Sequence, residues 1–134
     1  MTAITTTPSS SQVVKTALTI HAGDVTGESD ILELNTKNGS ITPVGFVIPT
    51  MANAATLTMQ MSPDNGSTWL NVLLDTLGSQ WNAWPSPQNA GAYQALDVVS
   101  ILGATSIRFL AGVPGTPVTQ ATDVTIEVIT RQVQ

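Results

Sequence analysis

The sequence predicts an all-β protein, an antiparallel β-sandwich or barrel. Three observations carry this. Roughly seven or eight short segments alternate apolar and polar residues or run β-branched and aromatic. Loops rich in Gly, Pro, Asn and Ser separate them. No segment holds a helical period over three turns, and no internal repeat is visible.

Residues Met1–Ser11 form a Thr/Ser/Pro-rich arm without apolar period, expected to be flexible alone, ahead of one sandwich domain spanning 12–134. From Gln12, the set Val14, Thr16, Leu18, Ile20 alternates with Val13, Lys15, Ala17, Thr19, which reads as a strand. His21–Asp30 is a polar loop. Ile31, Leu32 and Leu34 form a short strand closed by Asn38-Gly39, a hairpin signal. Ile41–Ile48 returns as a strand in which Pro43 demands an edge or a bulge.

Pro49–Ala54 reads as a turn. Thr56–Met61 is the cleanest strand, with Leu57, Met59 and Met61 on one face and Thr56, Thr58 and Gln60 on the other. Pro63-Asp64-Asn65-Gly66 is a turn, with Gly66 free to take positive φ, and Trp69–Leu74 is the partner strand. Asp75–Gly91 reads as irregular. Tyr93–Leu96 is a short strand, and Asp97–Leu102 fits one helical turn capped by Asp97 and stopped by Gly103. Ser106–Leu110 is a strand, Gly112–Thr122 a loop, and the last strand alternates Val124, Ile126, Val128 with Thr125, Glu127, Ile129. The expected core is Leu57, Met59, Met61, Val124, Ile126 and Val128, with Trp69 over the hairpin.

A chain of 134 residues suits one compact domain. Nine acidic against four basic residues give a net charge of -5, too few cations for a phosphate-tracking stripe, so nucleic acid is not an expected partner. The absence of Cys excludes disulfides, thiolate metal sites and a Cys nucleophile, and a single His excludes a multi-histidine metal site within one chain. No apolar run approaches the ~18 residues that span a bilayer, and the N-terminus lacks the basic start and apolar run of a signal peptide. Charged residues make up 10% of the chain, where a soluble domain usually has about 25%. Such a surface reads either as a Thr-rich β protein or as one that packs against partners, and the two are compatible.

Ser62, Asp64, Gly66 and Trp69 fit the pattern Ser-x-Asp-x-Gly-x-Thr-Trp, which resembles the Asp-box hairpin of sialidase-type propellers. The physics is local: the carboxylate accepts backbone N–H bonds, Gly supplies positive φ, and Trp covers the hairpin. A propeller needs several blades, so a single copy reads as a structural turn. Asp64 with Asn65, or Asp24 with Glu28 and Asp30, are candidate calcium ligands, but neither loop has the dense oxygen set that calcium takes; solvated carboxylates are the simpler reading. His21 lacks a Gly-x-Ser-x-Gly elbow as a triad partner, nothing singles out a carboxylate pair, and no phosphate-cradling Gly-rich loop follows a strand. Trp81 and Trp84 sit in a Pro-rich loop, suited to an interface, to capping one end of the sandwich, or to stacking on a sugar.

Ile48-Pro49, Ala54–Gln60, Ser62–Trp69, Ala95-Leu96-Asp97, Ile107–Leu110 and Gln120–Ile126 together resemble, in order and spacing, a family of small virion proteins of tailed bacteriophages that decorate or cement the capsid. The resemblance runs from Ile48 to Arg131; the tryptophan loop at Trp81–Trp84 departs from it. It implies a jelly-roll-like sandwich on the head exterior, a homo-oligomer with a trimer favoured, the major capsid protein as partner, no cofactor and no enzymatic activity. Candidate partner contacts are Ile4, Thr6 and Pro8 of the arm, Trp81 and Trp84, and Pro114. The alternative is a tail or fibre module that binds host carbohydrate through Trp81, Trp84 and Tyr93.

Overall fold

The computed structural model describes residues 11–36, 39–72, 83–84 and 90–133. Residues 1–10, with Ile4, Thr6 and Pro8, lie outside that set, as does Trp81. The strands are β1 (Ser11–Ile20), β2 (Leu32–Glu33), β3 (Asn35–Thr36), β4 (Gly39–Val47), β5 (Leu57–Ser62), β6 (Leu70–Asn71), β7 (Ala83–Trp84), β8 (Tyr93–Ala95), β9 (Ser106–Val113), β10 (Thr116–Pro117) and β11 (Val124–Val133). A 3₁₀ turn at Val98–Ile101 is the one helical element among the described residues, after Asp97 and before Gly103 as the sequence predicts.

All pairings are antiparallel. The first sheet runs β1-β11-β4, with β3 and β8 both on the far edge of β4. In the second, β5 and β9 lie at the centre; β2 and β10 flank β9, and β6 and β7 flank β5. Phe46 from β4 meets Phe109 from β9 edge to face, ring centroids 5.1 Å apart, so side chains of the two sheets interlock. The arrangement is all-β and consistent with a β-sandwich.

Alternation decides the faces. Leu18 and Ile20 of β1 are buried while Val13, Lys15 and Ala17 are exposed. Val124, Ile126 and Val128 of β11 are buried against Leu57, Met59, Ile107 and Phe109 in one cluster. Of the expected core residues, Met61 is only half-buried, near the end of β5. The other face of β5 is not uniformly open to water: Thr58 is buried, and its hydroxyl donates to the Gly112 carbonyl at 2.8 Å.

Pro43 resolves to a bulge. Ile129 pairs with Gly45 and Thr130 with Pro43, leaving Val44 as the extra residue of β4. Proline, lacking an N–H, thus sits beside the break in an otherwise interior strand. Three sequence expectations shift. Thr36 pairs with Gly39, so the link between β3 and β4 is residues 37–38, outside the described set, one residue earlier than Asn38-Gly39 suggests. Ala83–Trp84, inside the segment read as irregular, pairs with Leu57 and Thr58 of β5. The loop read from Gly112 begins instead as a hairpin: β9 runs on to Val113, which pairs with Thr116 across Pro114-Gly115, and Gly115 has φ 85°. Two-residue strands are too short to display alternation, so pattern alone does not reveal them.

Candidate interaction surface

The Ser62–Trp69 turn is closed from within. The Asp64 Oδ1 accepts the Thr68 N–H and the Ser62 hydroxyl, both at 2.8 Å. Ser62 Oγ in turn accepts the Gly66 N–H at 2.7 Å. Asn65 and Gly66 both take positive φ, 58° and 89°. Hydrogen bonds from Thr68, then from Ser62, hold the Asp64 carboxyl below its usual range. Thr105 ties this turn to β9: its hydroxyl accepts the Asn65 N–H at 2.8 Å and donates to the Ser62 carbonyl at 3.0 Å. The carboxylate is engaged in building the turn, which is the structural role the motif suggests.

Trp69 leaves that turn half-buried, with the Arg108 guanidinium 4.1 Å from its ring centroid. Arg108 faces outward between the buried Ile107 and Phe109. Register places it opposite Gln60, and Gln60 opposite Asn71. The side chains join along that row: Arg108 Nε donates to Gln60 Oε1 at 2.9 Å, and Gln60 Nε2 donates to Asn71 Oδ1 at 2.8 Å. Glu28 completes the strip, its Oε2 3.2 Å from Arg108 Nη1. Partial burial pulls the guanidinium below its usual value while Glu28 pushes it back up.

Beside this strip lies an open groove of about 390 Å³, floored by Glu28, Gln60, Asn71 and Leu110 and rimmed by Val25 and Pro114. Val25 is 74% exposed. Pro114, a sequence-predicted contact, therefore borders a polar floor with an apolar rim. Sequence reasoning missed the floor. The outward positions of Gln60 and Arg108 are legible from alternation, but the register that aligns them with Asn71 and Glu28 is not.

The acidic loop does not converge on one point. Asp24 accepts the Thr26 hydroxyl and N–H at 2.7 and 2.9 Å, which lowers its pKa. Asp30 accepts the Thr19 N–H at 3.1 Å and lies 3.0 Å from His21 Nε2. That contact with Asp30 is the main reason His21 is raised above its ordinary value, with Asp123 and Asp24 adding to it. Glu28 faces Arg108 instead. Tyr93 is 56% exposed, its hydroxyl donating to the Val44 carbonyl at 2.9 Å. The Trp84 backbone lies in β7, on the second sheet.

No protein-family model matches the chain, and neither a curated protein nor a solved structure matches it.

Proposed function

We propose that this chain is a structural virion protein that decorates and cements the capsid of a tailed bacteriophage. It sits on the capsid exterior as a homo-oligomer, a trimer by the family resemblance, and bridges major capsid subunits without enzymatic chemistry. The observation that carries the reading is strand order. Taking β1, β2, β4, β5, β6 with β7, β8, β9 and β11 as eight successive positions, the sheets read 1-8-3-6 and 2-7-4-5. That order supports a jelly roll, an architecture used by viral capsid and lectin domains. Few charges and exposed apolar side chains such as Val25, Tyr93 and Leu102 favour a surface finished by neighbours. The mechanism is multivalent: weak contacts around a symmetry axis act together, and the arm of residues 1–10, ahead of β1, orders on a neighbouring subunit.

The test is decoration of heads lacking the protein, across a salt series, with and without residues 1–10. Binding that withstands a few hundred millimolar salt, where screening shortens to roughly 5 Å, and that weakens on arm deletion is expected. Failure to bind heads at any salt overturns the reading.

The groove beside Arg108 favours a second reading, a tail or fibre module for host carbohydrate, since amides and a carboxylate on its floor suit sugar hydroxyls. Retention of the isolated protein on a glycan array, with no binding to heads, selects that alternative.

A further inference from the structure

Proteins blunt the edges of their sheets, because an open edge is a template for another strand. Among the described residues, three of the four sheet edges follow that rule: they are broken into pieces of two or three residues, β3 with β8, β2 with β10, and β6 with β7. The fourth edge, β1, is a continuous strand of 10 residues without proline or bulge, paired to β11 in unbroken register from Ser11↔Val133 to Ile20↔Val124. Its one charged residue is Lys15, whose ammonium lies 3.6 Å from Glu127 on its own sheet.

The parity of the edge is fixed at its end. Thr19 points its N–H and C=O away from β11, because the N–H reaches the Asp30 carboxylate at 3.1 Å and the C=O accepts the Asp30 N–H at 3.0 Å. Backbone direction alternates with period two, so Ala17, Lys15, Val13 and Ser11 face the same way. No described residue bonds to the outward groups of Val13, Lys15 and Ala17. Asp30 thus closes the edge at Thr19 and, among the described residues, leaves 11–17 open.

We propose that this open edge pairs with the same edge of a second copy, antiparallel, about a two-fold axis at Val14. In that register Ser11 of one copy lies opposite Ala17 of the other, and Val13 opposite Lys15, which forms about eight ladder hydrogen bonds. The neighbouring two-fold register, centred on Lys15, sets Lys15 against Lys15 and is denied the Ser11–Thr19 pair by Asp30, leaving about six bonds and a like-charge contact. The chosen register lays the lysine stem over Val13, which is 57% exposed, and brings the two half-buried Val14 side chains together on the core side. The contact is isologous. It joins two sheets into one. It does not rest on the capsid reading; on a shell it links neighbouring oligomers.

The chain has no cysteine, so single-cysteine variants report register without background. Under mild oxidation, full-length Val14→Cys is expected to form a covalent dimer and Lys15→Cys to form far less. Light scattering on the wild-type chain is expected to give an assembly that Ala17→Pro dissociates along the two-fold contact, since proline removes an outward donor while the β1–β11 bonds remain. Circular dichroism checks that Ala17→Pro keeps its strand content; if it does not, Lys15→Cys against Val14→Cys decides alone. A monomeric wild-type chain, equal cross-linking at both positions, or an assembly unchanged by a folded Ala17→Pro overturns the proposal. A trimer that survives Ala17→Pro does so while supporting the oligomer of the capsid reading.

Discussion

Tyr93 fills the space in front of Gly45. The two strands pair there, Gly45 opposite Ala95, and a Cβ at Gly45 would collide with the Tyr93 ring. The ring hydroxyl then donates to the carbonyl of Val44, the bulged residue that also accepts the Leu96 N–H at 3.0 Å. An exposed tyrosine thereby holds β8 onto the irregular part of β4.

Gly45→Ala is expected to destabilise the fold by displacing that ring, and Tyr93→Ala by losing the ring and its hydrogen bond. The double variant should cost less than the sum, with a coupling of about 0.5–3 kcal/mol in a denaturant-based double-mutant cycle. Additive losses would mean that the two residues act independently.

Gly66→Val should damage stability more than Ser67→Val. Gly66 holds φ at 89°, where a β-branched residue is strained, while Ser67 is exposed. Urea midpoints of the two variants measure the difference, and equal midpoints contradict the turn geometry.

Leu57→Ala is expected to cost about 2–5 kcal/mol, because the side chain is fully buried between the sheets. Met61→Ala, at a half-buried position, should cost less. Chemical denaturation of both variants tests the gradient along β5.

Stability should depend on pH at both ends through His21 and Asp30. The His21 pKa is raised above 6.5 in the fold, chiefly by the Asp30 hydrogen bond, so its contribution is present below 6.5 and is lost as pH rises through the raised value. The Asp30 pKa is lowered from 3.8, so its contribution is present above 3.8 and is lost as pH falls through the lowered value. With one histidine in the chain, NMR titration reads His21 directly, and Asp30→Asn should return it toward its ordinary value.

The strands that alternation marks are the long ones. β1, β5 and β11 each present a buried apolar row that no other period explains, and Pro43 announces an edge or a bulge, of which the structure takes the bulge. The Ser62–Trp69 turn was equally legible, since Asp64 and Gly66 act within a few residues of one another. What eluded the sequence is set by distance along the chain: the partner of Gln60 is Arg108, and that of Arg108 is Glu28, and no local pattern encodes either. The short strands β7 and β10 escaped for the opposite reason, being too brief to carry a period.

The pairing of β1 with β11 also governs when the protein can form. β11 lies between β1 and β4, so neither has its main partner until residues 124–133 are made. A nascent chain on the ribosome can close the β5–β9 pair earlier, yet it must hold β1 unsatisfied while residues 21–123 are made. Such non-local closure slows folding relative to chains rich in local contacts. The interval before that closure is when the β1 edge is most exposed to capture by a premature partner.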